Sequence, residues 1–218
     1  MDRSDATSAR RPLKSRASAW AGWLSGVLVR SGISANSISV CSVVFSLAAG
    51  AVLLCVGQGL LNTWGFLAAA VLIQLRLICN LMDGMVAIEG GKKSAVGDLY
   101  NEVPDRIADV AILGGFGFCA IGQPWGMHLG WLAASLAVMT AYVRMQGASL
   151  TGKHDFRGPM AKPQRMALVT GTCVVAAFLP AAIDWVFWAL TLMIMGEVAT
   201  LYRRLAGISA ILRGEGEP

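Results

Sequence analysis

The sequence predicts an all-α integral membrane protein with six transmembrane helices and an N-terminal cytoplasmic interfacial helix. Of its 218 residues, 56% are hydrophobic and 14% are charged, and the mean hydropathy is +0.60. A soluble domain carries about 25% charged residues, so this chain is too apolar to be one. The apolar residues also fall into separate runs of membrane-spanning length, and the basic residues lie between alternate runs.

The N-terminal part, residues 1–33, is predicted to be a basic cytoplasmic tail followed by one amphipathic helix. The tail is polar and basic, and it lacks the apolar run of a cleavable signal peptide. Beyond it, Trp20, Trp23, Leu24 and Val27 recur at helical spacing as far as Arg30. Such a helix suits the surface of a membrane. A cap packed on the helical bundle would show the same pattern.

Residues 34–213 are predicted to form the six-helix transmembrane domain, and residues 214–218 a short cytoplasmic tail. Ser34 or Asn36 supplies the side-chain oxygen that begins the first span. Each apolar segment is close to the roughly 20 residues that cross a bilayer. The segments are 35–57, 60–88, 96–121, 126–149, 164–183 and 185–207. An even number of spans places both chain ends on the same side of the membrane.

The placement of basic residues predicts which side that is. The loops near 58–62, 121–127 and 180–184 contain no Lys or Arg, whereas the loops near 89–95 and 150–165 and the C-terminal end contain several. Cytoplasmic loops carry an excess of Lys and Arg. We therefore expect both termini to lie in the cytoplasm.

Two stripes of polar and small residues interrupt the apolar runs of the second and third predicted spans. One stripe follows the spacing i, i+3, i+4, i+7 and the other i, i+4, i+8, so each lies on one helix face. Their members are Asn80, Asp83, Gly84 and Ala87 on the first helix, and Gly97, Asn101 and Asp105 on the second. At about 1.5 Å per residue, the aspartates lie about 10 to 12 Å inside the cytoplasmic boundary. Ionisable groups at such depth normally face a bundle interior and have a function there.

The spacing of these stripes resembles the motif of the CDP-alcohol phosphotransferase family, Asp-x2-Asp-Gly-x2-Ala-Arg-x8-Gly-x3-Asp-x3-Asp. Five of the eight fixed positions match over 26 residues, and every spacing is kept. The departures are Asn80, Asn101 and Ile88, which stand where the motif has its first Asp, its third Asp and its Arg. The Asn pair is similar to that of a bacterial branch of the family, a resemblance that implies a protein of the bacterial inner membrane. Arg106 and Lys92 are nearby cations that could replace the missing Arg.

The resemblance implies an enzyme that moves the phosphatidyl group from CDP-diacylglycerol to a small alcohol acceptor and releases CMP. A diphosphate carries concentrated negative charge, which hard cations such as Mg2+ or Mn2+ neutralise. The implied metal ligands are Asn80, Asp83, Asn101, Glu102 and Asp105. The resemblance also implies that Asp105 is the catalytic base. The residues expected to border the nucleotide are Gly84, Ala87, Gly97 and Asp98.

A second cluster, on the fourth predicted span and the loop after it, also resembles the family. The sequence Tyr-Val-Arg144 is followed by a basic stretch from Lys153 to Arg165. The resemblance implies that Arg144, Lys162 and Arg165 hold a substrate phosphate, a role to which guanidinium and ammonium groups are suited. Lys153 and Arg157 are more simply explained as cytoplasmic charges in contact with anionic lipid.

Other functions remain open from the sequence. The small residues of the stripes are also typical of close helix packing, and the Asp pair could simply stabilise the bundle. A relative of the family that binds lipid or a partner without catalysis would have the same pattern. A cation transporter is less favoured. Transporters place their sites near the midplane between repeats, whereas the carboxylates here cluster at one end of the helices and no repeat is visible. The family resemblance further implies a homodimer, and nothing in the sequence indicates a nucleic-acid partner.

The predicted topology has a direct test. A periplasm-active reporter such as alkaline phosphatase, fused after Pro218, should be inactive, whereas a cytoplasm-active fluorescent reporter at the same place should fluoresce, because the basic loops hold that end inside. The same reporters fused in the loop near 121–127 serve as the control and should give the opposite result. Phosphatase activity after Pro218 would contradict the topology.

Overall fold

The structure is a computed structural model that describes residues 18–89, 97–179, 181 and 184–215. Within these residues the chain is all-helical and forms seven α-helices. They are α1 (Ala19–Arg30), α2 (Ala35–Gly57), α3 (Trp64–Glu89), α4 (Gly97–Phe118), α5 (Gly126–Thr151), α6 (Lys162–Phe178) and α7 (Trp185–Leu212). The six apolar segments of the sequence correspond to α2 to α7.

Local side-chain chemistry explains where individual helices begin and end. Ser34 is the N-cap of α2, and its hydroxyl accepts a 3.1 Å hydrogen bond from the backbone N–H of Ser37. Helix α5 ends at Thr151, and its C-cap residue, Gly152, has φ of 72°. A left-handed residue at a helix end is normally glycine, because a Cβ would be strained there.

Helices α2 to α7 pack as a closed ring. Going round it, α2 packs against α3 and α4, α4 against α5, α5 against α7, α7 against α6, and α6 against α3. Helices α3 and α4 are thus separated by α2, and α4 and α6 lie on different sides of the ring. Side chains that point inward from these helices can meet at the centre.

Four of the ring helices in the described part of the chain are long and apolar enough to cross a membrane, namely α2, α3, α5 and α7. Helix α6 has only 17 residues. Helix α4 has 22 residues, but its first 13 residues include five charged ones: Asp98, Glu102, Asp105, Arg106 and Asp109. The prediction of six spans therefore goes further than length and apolarity support. The charges of α4 would have to be compensated inside the protein.

Helix α1 packs against α3 outside the ring. Ala21 and Ser25 on α1 are fully buried, whereas Trp20 and Trp23 are exposed. The Ser25 hydroxyl donates a 2.6 Å hydrogen bond to Glu89 at the end of α3. The helix predicted for this region is present. Its position at the membrane surface stays a prediction, because the exposed Trp pair suits a membrane interface without demonstrating one.

Helix α4 is held in backbone contact with two neighbours by glycines. Where α4 meets α2, a Cβ on Gly115 would lie 2.9 Å from the Cα of Gly50. Where α4 meets α5, a Cβ on Gly117 would lie 2.7 Å from the Cα of Gly130. Real Cβ atoms do not approach backbone so closely, so these positions require glycine. This packing fixes α4, and with it the position of the polar side chains on its inner face.

The buried apolar residues form two clusters with polar residues between them. The larger cluster fills most of the ring, and the smaller one lies beside α1. Along α3 the larger cluster ends at Ile73 and the smaller begins at Leu81. Arg76 and Asn80 fall between these two positions. Polar residues therefore separate the two apolar clusters along α3, between Ile73 and Leu81.

Candidate active site

Two serines of α2 orient the first polar stripe on α3. The Ser39 hydroxyl donates a 2.9 Å hydrogen bond to Oδ2 of Asp83, and the Ser42 hydroxyl donates a 2.7 Å bond to Oδ1 of Asn80. Asp83 is 6% exposed. Because the Asn80 carbonyl accepts from Ser42, its amide N–H group is turned toward α4. Both side chains are thus held in defined orientations inside the ring.

The Asp105 carboxylate on α4 is where three helices meet. Its Oδ1 atom accepts hydrogen bonds from Nδ2 of Asn80, from Nζ of Lys162, and from Nη2 of Arg76 at 3.3 Å. The other oxygen, Oδ2, lies 3.9 Å from Nη2 of Arg106. Asp105 is 7% exposed. The structure therefore brings together Asn80, Asp105 and Lys162, three residues that the sequence predicts for the site.

One turn deeper, Asp109 forms a second ion pair between α4 and α6. Its Oδ2 lies 2.7 Å from Nη2 of Arg165, and its Oδ1 lies 3.5 Å from Nη2 of Arg76. Arg165 also donates to the Thr140 hydroxyl and to the carbonyl of Met160, each at 3.3 Å. The sequence predicts that Arg165 holds a substrate phosphate, but its side chain is only 2% exposed and is committed to these partners. In the structure, Arg165 connects α6 to α4, to α5 and to the loop that precedes α6.

Glu197 of α7 completes the deep part of the network. Its Oε1 lies 3.5 Å from Nε of Arg165, and its side chain is fully buried. Within the described residues, neither carboxylate oxygen of Glu197 has a hydrogen-bond partner. An acidic group buried in this way depends on its ionic neighbour for stabilisation. The sequence offered no motif that assigned a role to this residue.

Glu102 is drawn away from the Asp105 cluster. Nη2 of Arg144 lies 2.6 Å from its Oε1 and 2.7 Å from its Oε2, and Arg106 lies 3.3 Å from Oε2. The guanidinium carbon of Arg144 also lies 5.6 Å from the centre of the Phe156 ring, a cation–π distance. Glu102 and Arg144, predicted respectively as a metal ligand and a phosphate-binding residue, are thus partners of each other.

The loop between α5 and α6 is fastened to α7. Arg204 donates to the carbonyl of Arg157 at 3.0 Å, and the Thr200 hydroxyl accepts from the backbone N–H of Met160 at 3.0 Å. Gly158, with φ of 126°, packs against Thr200, where a Cβ would clash. These contacts fix the end of the loop just before α6 begins at Lys162. They therefore also fix the direction from which Lys162 reaches Asp105.

Within the same loop, Asp155 is held in its charged form. Partial burial on its own would raise the pKa of Asp155, but the hydrogen bonds and positive charge of Arg157 outweigh it, so the pKa lies below its usual value. The backbone N–H of Arg157 donates to Asp155 at 2.8 Å. A carboxylate with a lowered pKa stabilises the folded loop at neutral pH, and this contribution is lost as the pH falls through the lowered pKa.

The remaining predicted residues lie around this cluster. Gly84, Ala87, Gly97 and Asn101 are half-buried. The side chain of Asp98 and the whole of Lys92 lie outside the described residues. Two important members, Arg76 and Asp109, were missed by the sequence analysis. Both continue the predicted stripes by one turn, since Arg76 is four residues before Asn80 and Asp109 is four after Asp105.

The oxygen donors at the site fit a hard divalent cation in part. Carboxylate and amide oxygens are the ligands that such cations prefer, and the motif supplies Asp83, Asp105 and Asn101 in addition to Asn80. Asp105, however, already binds an ammonium and a guanidinium group. Within the described residues, no three acidic, His or Cys side chains form a group that could hold a metal. Asp83, which has no basic side chain within 4.0 Å in the described part of the chain, is therefore the carboxylate that best suits a cation.

Comparison with known proteins establishes the fold. No protein-family model matches the chain. The chain is 26% identical over 186 residues to the inner membrane protein YnbA of Escherichia coli (strain K12). The aligned region covers 85% of this chain and 87% of YnbA.

Among solved structures, the chain is similar to a phosphatidylinositol phosphate synthase (PgsA1) of Mycobacterium tuberculosis. The PgsA1 complex with manganese and citrate matches with a TM-score of 0.72 and 19% identity, over 87% of this chain and 88% of that one. The form with CDP-DAG bound gives 0.71 and 19%, over 86% and 92%. The apo form gives 0.66 and 21%, over 84% and 93%. This chain therefore has the same fold as PgsA1.

The buried network predicts how stability depends on its members. Replacing Asp109 by Ala leaves Arg165 and Arg76 without their shared carboxylate in a buried site, which typically costs about 3 to 5 kcal/mol. The thermal unfolding midpoint in detergent should therefore fall markedly. Glu197→Gln is the matched comparison. It keeps the side-chain shape and removes only a 3.5 Å ion pair, so the midpoint should fall much less. Equal losses in both variants would contradict this order of importance.

Proposed function

We propose that this protein is a CDP-alcohol phosphatidyltransferase of the bacterial inner membrane. The observation that carries the proposal is that Asn80, Asp83 and Asp105 are held by side-chain contacts inside the ring, since these residues hold three positions of the family motif. The fold it shares with PgsA1, which has been solved with CDP-DAG bound, supports the same assignment. The similarity to an inner membrane protein supports the location.

The proposed reaction breaks the phosphoanhydride bond between CMP and the phosphatidyl group and forms a phosphate ester with the acceptor. The hydroxyl oxygen of the acceptor attacks the phosphorus that carries diacylglycerol, and the bond from this phosphorus to the bridging oxygen breaks. CMP leaves with that oxygen, and the hydroxyl proton passes to a base. We assign this role to Oδ2 of Asp105, because Oδ1 is shared by three donors. A base must lie within hydrogen-bond reach of the proton it accepts.

The remaining residues of the site take supporting roles in the proposal. Bound Mg2+ or Mn2+ would neutralise the diphosphate charge, and PgsA1 has been solved with manganese. Gly84, Ala87 and Gly97 leave the inner faces of α3 and α4 open for the nucleotide, because they lack bulk. Arg144 and Lys162 are each only partly buried, so both can offer N–H groups to a phosphate. Assembly as a homodimer is also part of the proposal.

A second candidate is a relative that binds the lipid without turning it over. The observation that favours it is the neutralisation of Asp105 by Lys162 and Arg76. A carboxylate held by two cations is a weaker base than one facing water. Turnover distinguishes the two functions, because both predict binding of CDP-diacylglycerol and only the first predicts CMP.

The test is CMP release by purified protein in lipid nanodiscs. Radiolabelled CDP-diacylglycerol is supplied with Mn2+ and one acceptor at a time, such as glycerol phosphate, inositol, inositol phosphate or serine. Asp105→Asn keeps the side-chain shape but removes the base, and positioned bases contribute about 100 to 10,000-fold. We therefore expect at least about 100-fold less turnover, with binding of the labelled donor retained.

Asp184→Asn is the control for this experiment, because Asp184 is an exposed aspartate at the start of α7, at the other end of the bundle from Lys162. It should keep full turnover. Equal loss of donor binding and turnover in Asp105→Asn would show that Asp105 holds the substrate or cation and is not the base. Donor binding by the wild type without CMP release for any acceptor would favour the second candidate.

A further inference from the structure

The charge of Asp105 is neutralised by the chain itself. Its Oδ1 atom accepts from three donors, and two of them, Lys162 and Arg76, are cations. A divalent cation that bound this oxygen would have to displace the ammonium group. It would also lie close to a fully buried guanidinium, and repulsion between like charges is strong where water is excluded. Asp105 is therefore a poor metal ligand in this chain.

Asn80 is committed in the same way. Its carbonyl oxygen accepts from Ser42, and its amide group donates to Asp105. An ionised Asp at this position could not donate, so the amide is what allows the α2–α3–α4 chain of hydrogen bonds to form. The Asn that departs from the family motif thus orients Asp105.

Lys162 is held at Asp105 by the deeper ion pair. On α6, Lys162 and Arg165 are three residues apart, and on α4 Asp105 and Asp109 are four apart, so each pair lies on one helix face. The buried Arg165–Asp109 contact of 2.7 Å fixes the register between the two helices. With that register fixed, the first residue of α6 lies opposite Asp105.

Asp83 has a different environment. Its Oδ2 accepts from the neutral hydroxyl of Ser39, and no ion pair within 4.0 Å joins it to a basic side chain in the described residues. The charges of Asp105 and Lys162 act on it from a greater distance. Of the two motif aspartates, Asp83 is thus the one whose negative charge still calls for a cation.

We propose that this site takes a single divalent cation, on the Asp83 side, and that the Lys162 ammonium supplies the second positive charge, on the Asp105 side. An ammonium group has three N–H donors. One binds Asp105, and another can bind a phosphate oxygen of a nucleoside-diphosphate-linked lipid. The identity of that ligand rests on the proposed function. The number of bound cations depends only on the residues of the site.

The test counts Mn2+ by electron paramagnetic resonance of the free ion, using purified full-length protein in detergent without nucleotide lipid. The wild type should bind one Mn2+ per chain. Lys162→Gln removes the ammonium and frees Oδ1 of Asp105, so it should bind a second Mn2+ or bind the first at least tenfold more tightly. Lys162→Arg keeps the charge and should behave as the wild type.

Two further variants complete the design. Lys153→Gln removes an exposed lysine of the loop between α5 and α6. It should leave one Mn2+ per chain with unchanged affinity. Asp83→Ala should bind none. Two Mn2+ per wild-type chain, no Mn2+ at all, unchanged binding in Lys162→Gln, or retained binding in Asp83→Ala would each overturn the proposal. Mn2+ binding is measured without turnover, so its result is independent of whether the protein releases CMP.

Discussion

The ion pair between Arg165 and Asp109 is the interaction on which the rest of the site depends. It joins α6 to α4 across the interior of the ring, where the two helices are not neighbours. Both side chains are almost completely buried, and removing one partner of such a pair leaves an uncompensated charge. The contact sets the register of α6 on α4, and Lys162 reaches Asp105 as a result. The buried pair therefore determines where Lys162 and Asp105, one helical turn away, come into contact.

Charged side chains inside a membrane protein are tolerated when they face the interior and pair with one another. Here Arg76 contacts Asp105 and Asp109, and Arg165 contacts Asp109 and Glu197. This pairing explains how α4 can carry so many charges on its inner face and still pack between α2 and α5. It also explains why the apolar core is divided, since Arg76 and its carboxylate partners lie between the two apolar clusters.

Much of this could be predicted from the sequence, because helical spacing alone places side chains on one face. The six apolar segments correspond to α2 to α7, and Asn80, Asp105 and Lys162, which the sequence predicts for the site, lie in contact in the structure. The partners could not be predicted, since they depend on how far one helix is shifted along another. Glu102, for example, could face either Asp105 or Arg144 until the register of α4 on α5 is known. Arg76 sat in an apolar run without a motif, and only the fold shows that it faces Asp105.

In our proposal, the fixed register between α4 and α6 keeps Lys162 on Asp105 while the cation and the diphosphate bind beside Asp83. Anomalous diffraction from Mn2+, in crystals grown with CDP-diacylglycerol, would locate the cation. We expect one anomalous peak per chain next to the Asp83 carboxylate, with the diphosphate against it and Lys162 still bound to Asp105. An anomalous peak on the Asp105 carboxylate, with the Lys162 side chain displaced, would show that the cation takes the place we assign to the ammonium group.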